Sequence, residues 1–486
     1  MPGLIPQGRA RPLGPAVLEQ IMTQQTLIFD QELINRYDRQ GPRYTSYPTA
    51  VQFHDGFANA DYRRHAGLTN RAAPPAPLSL YFHIPFCATV CYYCACNKII
   101  TKNRAHTVKY LECLYREIET QGALFDRSRP VDQLHWGGGT PTFLNEEQMG
   151  ELMARTRQHF SLHDDDEGEY SIEIDPRTVT EEKVGFLRTL GFNRLSMGVQ
   201  DFEPAVQQAV NRIQSEDQTL RVIDSARTHG FKSLSVDLIY GLPLQSTESF
   251  DRTLGKIIAV DPDRISVFNY AHLPQMFKTQ RQIDESQLPP PEEKLQILRL
   301  AIERLTAAGY LYIGMDHFAK PDDELAIAQR EGKLSRNFQG YATHGDCDII
   351  GMGVSAIGRV GNSYSQNERD LEQYQQRVEQ EGLAVFRGVE LDQDDQLRRA
   401  IINQLICHFE LHIEPFERSF SVDFANDFAD ELKDLAAMQA DGLLTLRADG
   451  LTVNPAGRLL IRNICMVFDR YLRTASDAPA RFSKVI

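Results

Sequence analysis

Residues 81–96 run Tyr81-Phe82-His83-Ile84-Pro85-Phe86-Cys87-Ala88-Thr89-Val90-Cys91-Tyr92-Tyr93-Cys94-Ala95-Cys96. An apolar β-like run ends at Pro85, and in the loop that follows Cys87, Cys91 and Cys94 are spaced C-x3-C-x2-C. Three thiolates at that spacing can wrap one face of a cubane, because soft sulfur ligands suit iron–sulfur centres. One iron is then left without a protein ligand, the kind of open position that catalytic metal sites keep for a chelating substrate. A structural zinc site is the competing reading. It would need Cys96 or His83 as a fourth ligand and would ordinarily draw its ligands from two separated halves. The compact, aromatic-flanked grouping after a strand favours iron and sulfur. Cys96 stays a candidate functional residue whose role is open. The other cysteines, Cys113, Cys347, Cys407 and Cys465, are scattered and read as small buried hydrophobes.

Outward from this loop, short β-rich runs alternate with amphipathic helical stretches. The sequence predicts strands at 78–84, 133–136, 170–174, 194–199, 233–238 and 264–268, and helices at 108–124, 145–159, 181–190, 219–229 and 247–260. Alternation of this kind implies parallel strands joined by right-handed crossovers, with a site at the C-terminal strand ends. Polar residues recur where those ends should lie: Glu173 and Asp175, Gln200 and Asp201, and Asp237 inside an otherwise apolar run. Any one of them could simply cap the next helix. Their recurrence points to a shared site.

Residues 1–25 read as a disordered leader, with Met1 or Met22 as the start. Residues 26–77 read as an N-terminal arm and linker. Within the arm, 41–49 have proline near both ends and no period, which predicts an extended segment. Residues 78–370 form the expected barrel domain, and 371–486, rich in Gln, Glu, Asp and Leu, a mostly helical C-terminal domain ending in a helix near 459–472. The net charge of −14 and the lack of a basic run argue against nucleic acid as a partner. No apolar run is long enough to span a bilayer and no secretory h-region opens the chain, so a cytoplasmic protein is expected. Cysteines in that reducing compartment should not form disulfides.

The loop resembles that of the radical S-adenosylmethionine superfamily. GPRYTSYPT, YFHIPFC, CYYCACNK, HWGGGTPT, SIEIDPR, GFNRLSMGVQDF, DLIYGLP, FNYAHLP, GMDHFA, NFQGY, GMGVSAI and RLLIRNIC together resemble the oxygen-independent coproporphyrinogen III oxidase family from about residue 39 to 486. The resemblance implies an α/β fold: a partial (β/α)6 barrel of the radical S-adenosylmethionine type, with an N-terminal arm and a C-terminal helical domain. It further implies a [4Fe-4S] cluster on Cys87, Cys91 and Cys94, two S-adenosylmethionine molecules, and coproporphyrinogen III as substrate. Two propionates would become vinyl groups, giving protoporphyrinogen IX in haem biosynthesis, through a 5′-deoxyadenosyl radical formed by reductive cleavage of S-adenosylmethionine. An electron donor such as a flavodoxin or ferredoxin and an unknown electron acceptor are implied as well. A monomer is expected.

Carried over by position, Tyr81, Tyr93, Gly138, Gly139, Thr140, Glu173, Gln200, Arg212, Asp237, Ala271 and Ile357 match cofactor contacts, with Asp237 placed on ribose hydroxyls. Phe338 and Gln339 match positions near the second cofactor. Each also has a plainer reading: Arg212 as a surface helix residue, Ala271 and Ile357 as core, and the glycine run as a tight turn. Arg43, Tyr44 and Lys98 are candidate substrate partners, and His317 beside Asp316 reads as a structural pair rather than an acid or base. The alternative function is a haem-binding or trafficking relative without decarboxylase activity. In such relatives Phe stands where Cys96 stands here, and the GPRYTSYPT arm is lacking.

Overall fold

The computed structural model describes residues 27–474 and residue 484, so the expected leader at 1–25 lies outside the described residues. The described chain forms two compact units, one made of 52–290 with 346–390, the other of the residues before 52, 291–345 and those from 391.

The first unit is built on a large sheet. Its strands are β1 (Leu78–Ile84), β2 (Pro130–Gly138), β3 (Glu169–Ile174), β4 (Arg194–Gln200), β5 (Ser233–Tyr240), β6 (Arg264–Asn269), β7 (Asp348–Met352), β8 (Ile357–Val360), β9 (Ser363–Asn367) and β10 (Val385–Glu390). In space they run β6-β5-β4-β3-β2-β1-β7-β8-β9-β10. Every pair from β6 to β7 is parallel, and β7 to β10 pair antiparallel. The free edge of β1 is taken by β7 and not by β6, so the parallel strands form an open arc rather than a closed barrel. The crossovers between them are α1 (Ala105–Leu124), α2 (Glu146–His159), α3 (Glu181–Thr189), α4 (Glu216–Thr228) and α5 (Thr247–Val260). Asn145, Thr180, Ser215 and Ser246 cap α2 to α5, each accepting a backbone N–H in the first turn that would otherwise be unpaired.

Parallel strands are usually apolar on both faces. Here they alternate. Phe82, Trp136, Ile172, Met197, Val236 and Val267 face the helices and are almost wholly buried. The register brings Tyr81 beside His135 and His135 beside Ser171, and further along Glu173 beside Ser196, then Gly198, Asp237 and Ser266. One face of the arc therefore carries a polar row across six strands. The expectation of polar groups at strand ends captured only part of it.

The second unit carries helices Pro291–Ala307, Gln393–His408, Ala429–Ala440 and Ile461–Val467. The stretch expected to be helical from residue 371 also contains strands: Val385–Glu390 joins the large sheet, and Glu410–His412, Gly450–Val453 and Leu444–Arg447 form a small antiparallel one. The terminal helix expected near 459–472 is two short ones, Ile461–Val467 and Arg470–Thr474, separated where the Asp469 carboxylate accepts the backbone N–H of Tyr471 and Leu472. No described helix is long and apolar enough to cross a membrane.

Candidate active site

The cysteine loop leaves β1 at its C-terminal end and is pinned from several sides. Ile99 N–H donates to the Pro85 carbonyl (2.7 Å) and Thr101 N–H to that of Cys87 (2.9 Å), forming a two-residue ladder. Asn211 Nδ2 donates to Val90 (2.8 Å), Tyr92 N–H to Val210 (3.0 Å), Gln280 Nε2 to Tyr93 (3.0 Å) and Thr279 Oγ1 to Cys94 (3.1 Å). Tyr92 and Tyr93 pack against Val206, Val210, Leu242, Tyr270 and Ile283, an apolar base beneath the loop. All eight cysteines are free thiols.

The sulfurs differ in their surroundings. Cys87 Sγ accepts from the Thr140 hydroxyl at 3.4 Å. Cys91 is buried, and its sulfur accepts from Arg212 Nη1 (3.5 Å), Arg177 Nη2 (3.6 Å) and the Tyr93 hydroxyl. Cys94 is pushed down to about 6, first by a hydrogen bond from the Cys96 thiol and then by the Lys98 ammonium. Cys96 is solvent-accessible and shifts in the opposite direction, because its thiol hydrogen-bonds the Cys94 sulfur. Lys98 Nζ donates to the carbonyls of Cys94 (2.8 Å) and Cys96 (3.4 Å) and to the Cys94 sulfur, so its three ammonium N–H groups are all engaged by the loop.

The polar row is wired together on the same face. The Tyr81 ring stacks on His135 at 5.9 Å, and its hydroxyl lies 3.0 Å from His83 Nδ1. His135 sits 2.6 Å from Ser171 Oγ and 3.3 Å from Glu173 Oε1, while Glu173 Oε2 accepts Gly138 N–H at 3.1 Å. Burial alone would raise the Glu173 carboxyl. The hydrogen bond and charge of His135 outweigh it and hold the group below the ordinary carboxylate range. Its side chain nevertheless keeps 45% of its accessibility, as a residue lining a recess does. Asp237 accepts from Ser196 (3.3 Å) and Ser266, but desolvation dominates and lifts it to about 6.

Gly138 and Gly139 are required by the chain's own packing. Gly138 has φ +108°, and a Cβ there would come within 2.5 Å of the His83 ring; one on Gly139 would meet the Pro85 carbonyl carbon at 2.6 Å. The glycine run thus seats on β1, so close approach of a ligand is not needed to explain it.

Three polar groups at the strand ends are buried without hydrogen-bond partners: Gln200 Oε1, Arg212 Nε and Asn269 Oδ1. Such groups are costly unless something else satisfies them. Gln200 is also held at φ +68°, a conformation non-glycine residues seldom adopt. This donor and acceptor set suits a polar, charged cofactor such as S-adenosylmethionine, and three clustered thiols suit an iron–sulfur centre.

The first unit therefore brings together Cys87, Cys91, Cys94, Cys96, Lys98, Tyr81, Tyr93, Gly138, Gly139, Thr140, Glu173, Gln200, Arg212 and Asp237 on the loop, the polar row and the strand ends. Ala271 follows β6 and its carbonyl accepts from Gln280 Nε2, while Ile357 opens β8 beyond β7. Asp201 turns away from the row: it is buried between Thr253 Oγ1 (2.7 Å) and Gln245 Nε2 (2.6 Å), tying β4 to α5. Sequence reasoning missed His135, Arg177 and Asn269. The tripeptides around them, His-Trp-Gly, Asp-Pro-Arg and Phe-Asn-Tyr, had no spacing that distinguished them from ordinary strand ends.

Arg43, Tyr44, Phe338 and Gln339 belong to the second unit. Arg43 pairs with Asp316 at 2.9 Å. Tyr44 is buried, donating to Asp469 at 3.0 Å, so its ring is core there. Phe338 and Gln339 form the tip of a hairpin between Ser335–Asn337 and Gly340–Ala342.

The Radical SAM superfamily profile matches residues 81–257, and that of the HemN C-terminal domain matches 391–460. Over 461 residues the chain is 54% identical to an oxygen-independent coproporphyrinogen III oxidase of Pseudomonas aeruginosa, covering 95% of this chain and 99% of that protein. To its counterpart of the same name in Escherichia coli it is 50% identical, covering 96% and 100%. The solved structure of coproporphyrinogen III oxidase (HemN) from Escherichia coli, described as a radical SAM enzyme, superposes with TM-score 0.88 at 49% identity, covering 92% of this chain and all of that one.

Proposed function

Since the chain belongs to the oxygen-independent coproporphyrinogen III oxidase family of radical S-adenosylmethionine enzymes, we propose that its loop and polar row oxidatively decarboxylate coproporphyrinogen III in haem biosynthesis. Each of two propionates loses carbon dioxide, one β-hydrogen atom and one electron, and becomes a vinyl group of protoporphyrinogen IX. When bound, a [4Fe-4S] cluster and S-adenosylmethionine supply the one-electron reductant and the hydrogen-atom acceptor that this chemistry needs. The observation that carries the reading is the three-thiol loop facing buried, unsatisfied polar groups at the ends of parallel strands.

Cys87, Cys91 and Cys94 hold the cluster, since their thiolates are its natural ligands. Arg212, Gln200 and Asn269 bind S-adenosylmethionine through the groups the protein leaves unpaired. Glu173, Asp237, Tyr81, Tyr93, Ala271, Ile357 and the Gly138, Gly139 and Thr140 backbone contribute to the same site, and His135 orients Glu173. A second S-adenosylmethionine is held by Phe338 and Gln339. Lys98 meets a propionate carboxylate once it turns from the cysteine loop, as does Arg43 once it leaves Asp316. A flavodoxin or ferredoxin supplies electrons, an acceptor takes up those released, and the protein works as a cytoplasmic monomer.

Anaerobic incubation with coproporphyrinogen III, S-adenosylmethionine and reductant tests this. Carbon dioxide and protoporphyrinogen IX should both form. Coproporphyrinogen left unchanged by fully reconstituted protein would overturn the reading.

A further inference from the structure

Cys91 stands apart from the other two thiols in the loop. Its sulfur receives two guanidinium donors, Arg177 Nη2 at 3.6 Å and Arg212 Nη1 at 3.5 Å, whereas Cys87 receives a neutral hydroxyl and Cys94 a neutral thiol with a single ammonium, that of Lys98. Between the guanidiniums lies Asp175. Its carboxylate accepts Arg177 Nε (3.0 and 3.1 Å) and Nη2 (2.6 Å), and reaches Arg212 Nη1 at 3.4 Å. The two arginines hold Asp175 below the ordinary carboxylate range despite its burial. Side-chain exposure is 18% for Arg177, 10% for Asp175 and 8% for Arg212, so solvent screens the group poorly. Two cations and one anion leave one net positive charge against a single sulfur.

We propose that Arg177 and Asp175 set the reduction potential of the cluster through Cys91, Arg177 raising it and Asp175 restraining it. This rests on the assignment of Cys91 as a cluster ligand. Reduction by a low-potential one-electron donor adds a negative charge to the cluster. N–H donors and positive charge at a ligand sulfur stabilise that added charge, and hydrogen bonds to sulfur are among the levers that set such potentials. Arg212 also serves the cofactor site, whereas among the described residues Arg177 donates to Asp175 and Cys91 alone, which makes it the cleaner lever. A purely structural reading accounts for the Asp175 cap on the turn Pro176–Thr178, where Asp175 accepts Arg177 N–H at 3.0 Å. It gives no reason for Nη2 to extend to the sulfur.

The test is an anaerobic redox titration of reconstituted holoprotein without S-adenosylmethionine, following the paramagnetic signal of the reduced cluster, with iron and sulfide measured on each sample. In Arg177→Gln the ratio of reduced to oxidised cluster at a fixed poise should fall about tenfold, 59 mV for a one-electron couple. Asp175→Asn should shift it the opposite way, and Arg177→Lys, which keeps the charge, should fall less than Arg177→Gln. Opposite signs are the discriminating result, because a loosened loop would move both variants alike. Unchanged midpoints at full iron content, or shifts of the same sign, overturn the proposal and leave the cluster assignment standing. If Arg177→Gln does not retain iron, the Asp175→Asn result decides: a rise supports the proposal and no rise overturns it. Wild-type protein that takes up no iron overturns the ligand assignment and this proposal with it.

Discussion

At the scale of single residues, the account predicts a division among four neighbouring cysteines. Replacing Cys87, Cys91 or Cys94 by Ser should abolish iron and sulfide uptake on anaerobic reconstitution, because a hard hydroxyl is a poor ligand for the cluster. Cys96→Ser should retain the iron–sulfur spectrum and impair turnover, since the thiolates of Cys87, Cys91 and Cys94 already fill the ligand set while the candidate functional thiol is removed. An intact cluster in Cys91→Ser, or a lost one in Cys96→Ser, would reassign the ligands. The spacing of these cysteines was legible because chemistry constrains it. His135, in a strand, and Arg177, in the turn Pro176–Thr178, were not legible, since each gains its meaning from a neighbouring element that lies far away in sequence: Glu173 for one and Cys91 for the other. Glu173 shows the difference: its strand-end position was readable, but the His135 contact that keeps it ionised was not.

At the scale of elements, two buried connections carry predictions. Glu117 on α1 is wholly enclosed and accepts Asn367 Nδ2 (2.6 Å), Tyr374 Oη (2.7 Å) and Gly353 N–H (2.8 Å), joining the helix to the β7–β8 turn, to β9 and to the helix Leu371–Glu381. Desolvation raises it from 4.5 to about 7. A raised carboxyl favours the fold while protonated, below its ordinary range, and that contribution is lost as pH climbs through about 7. The loss amounts to roughly 3 kcal/mol across the window. Wild-type protein should therefore melt lower at pH 8 than at pH 5 by a margin that Glu117→Gln largely removes; equal margins in the two proteins would contradict this.

The arm at 41–49 is the second connection. Arg462, buried in its own helix, donates Nε to the Pro42 carbonyl at 2.9 Å and Nη2 to that of Gly41, while Tyr47 Oη accepts Arg470 N–H at 3.1 Å. Truncation through residue 49 removes two carbonyl partners of that guanidinium and opens the core around Tyr44 and Tyr47, so thermal unfolding should shift down by several degrees or the unit should fail to fold. An unshifted melt would show that the arm is no strap. Proline near both ends led to the expectation of an extended segment, whereas the chain bends through 45–48 and Tyr44 has φ +46°; the partners that bury the arm lie more than 400 residues away.

At the scale of the whole molecule, the β-then-α rhythm announced the parallel arc, and the polar strand ends pointed to the candidate site. The interleaving of the two units was hidden. Residues 291–345 leave the sheet unit and 346–390 return to it as its antiparallel edge, an exchange with no local signature, since β7 through β10 are short and differ little in composition from strands elsewhere. The central claim, coupled radical decarboxylation of a porphyrinogen, is tested most directly by stoichiometry. Fully reconstituted protein, reduced anaerobically with S-adenosylmethionine and coproporphyrinogen III, should release one 5′-deoxyadenosine for every carbon dioxide and two of each for every protoporphyrinogen IX formed. Release of 5′-deoxyadenosine without carbon dioxide would contradict the account.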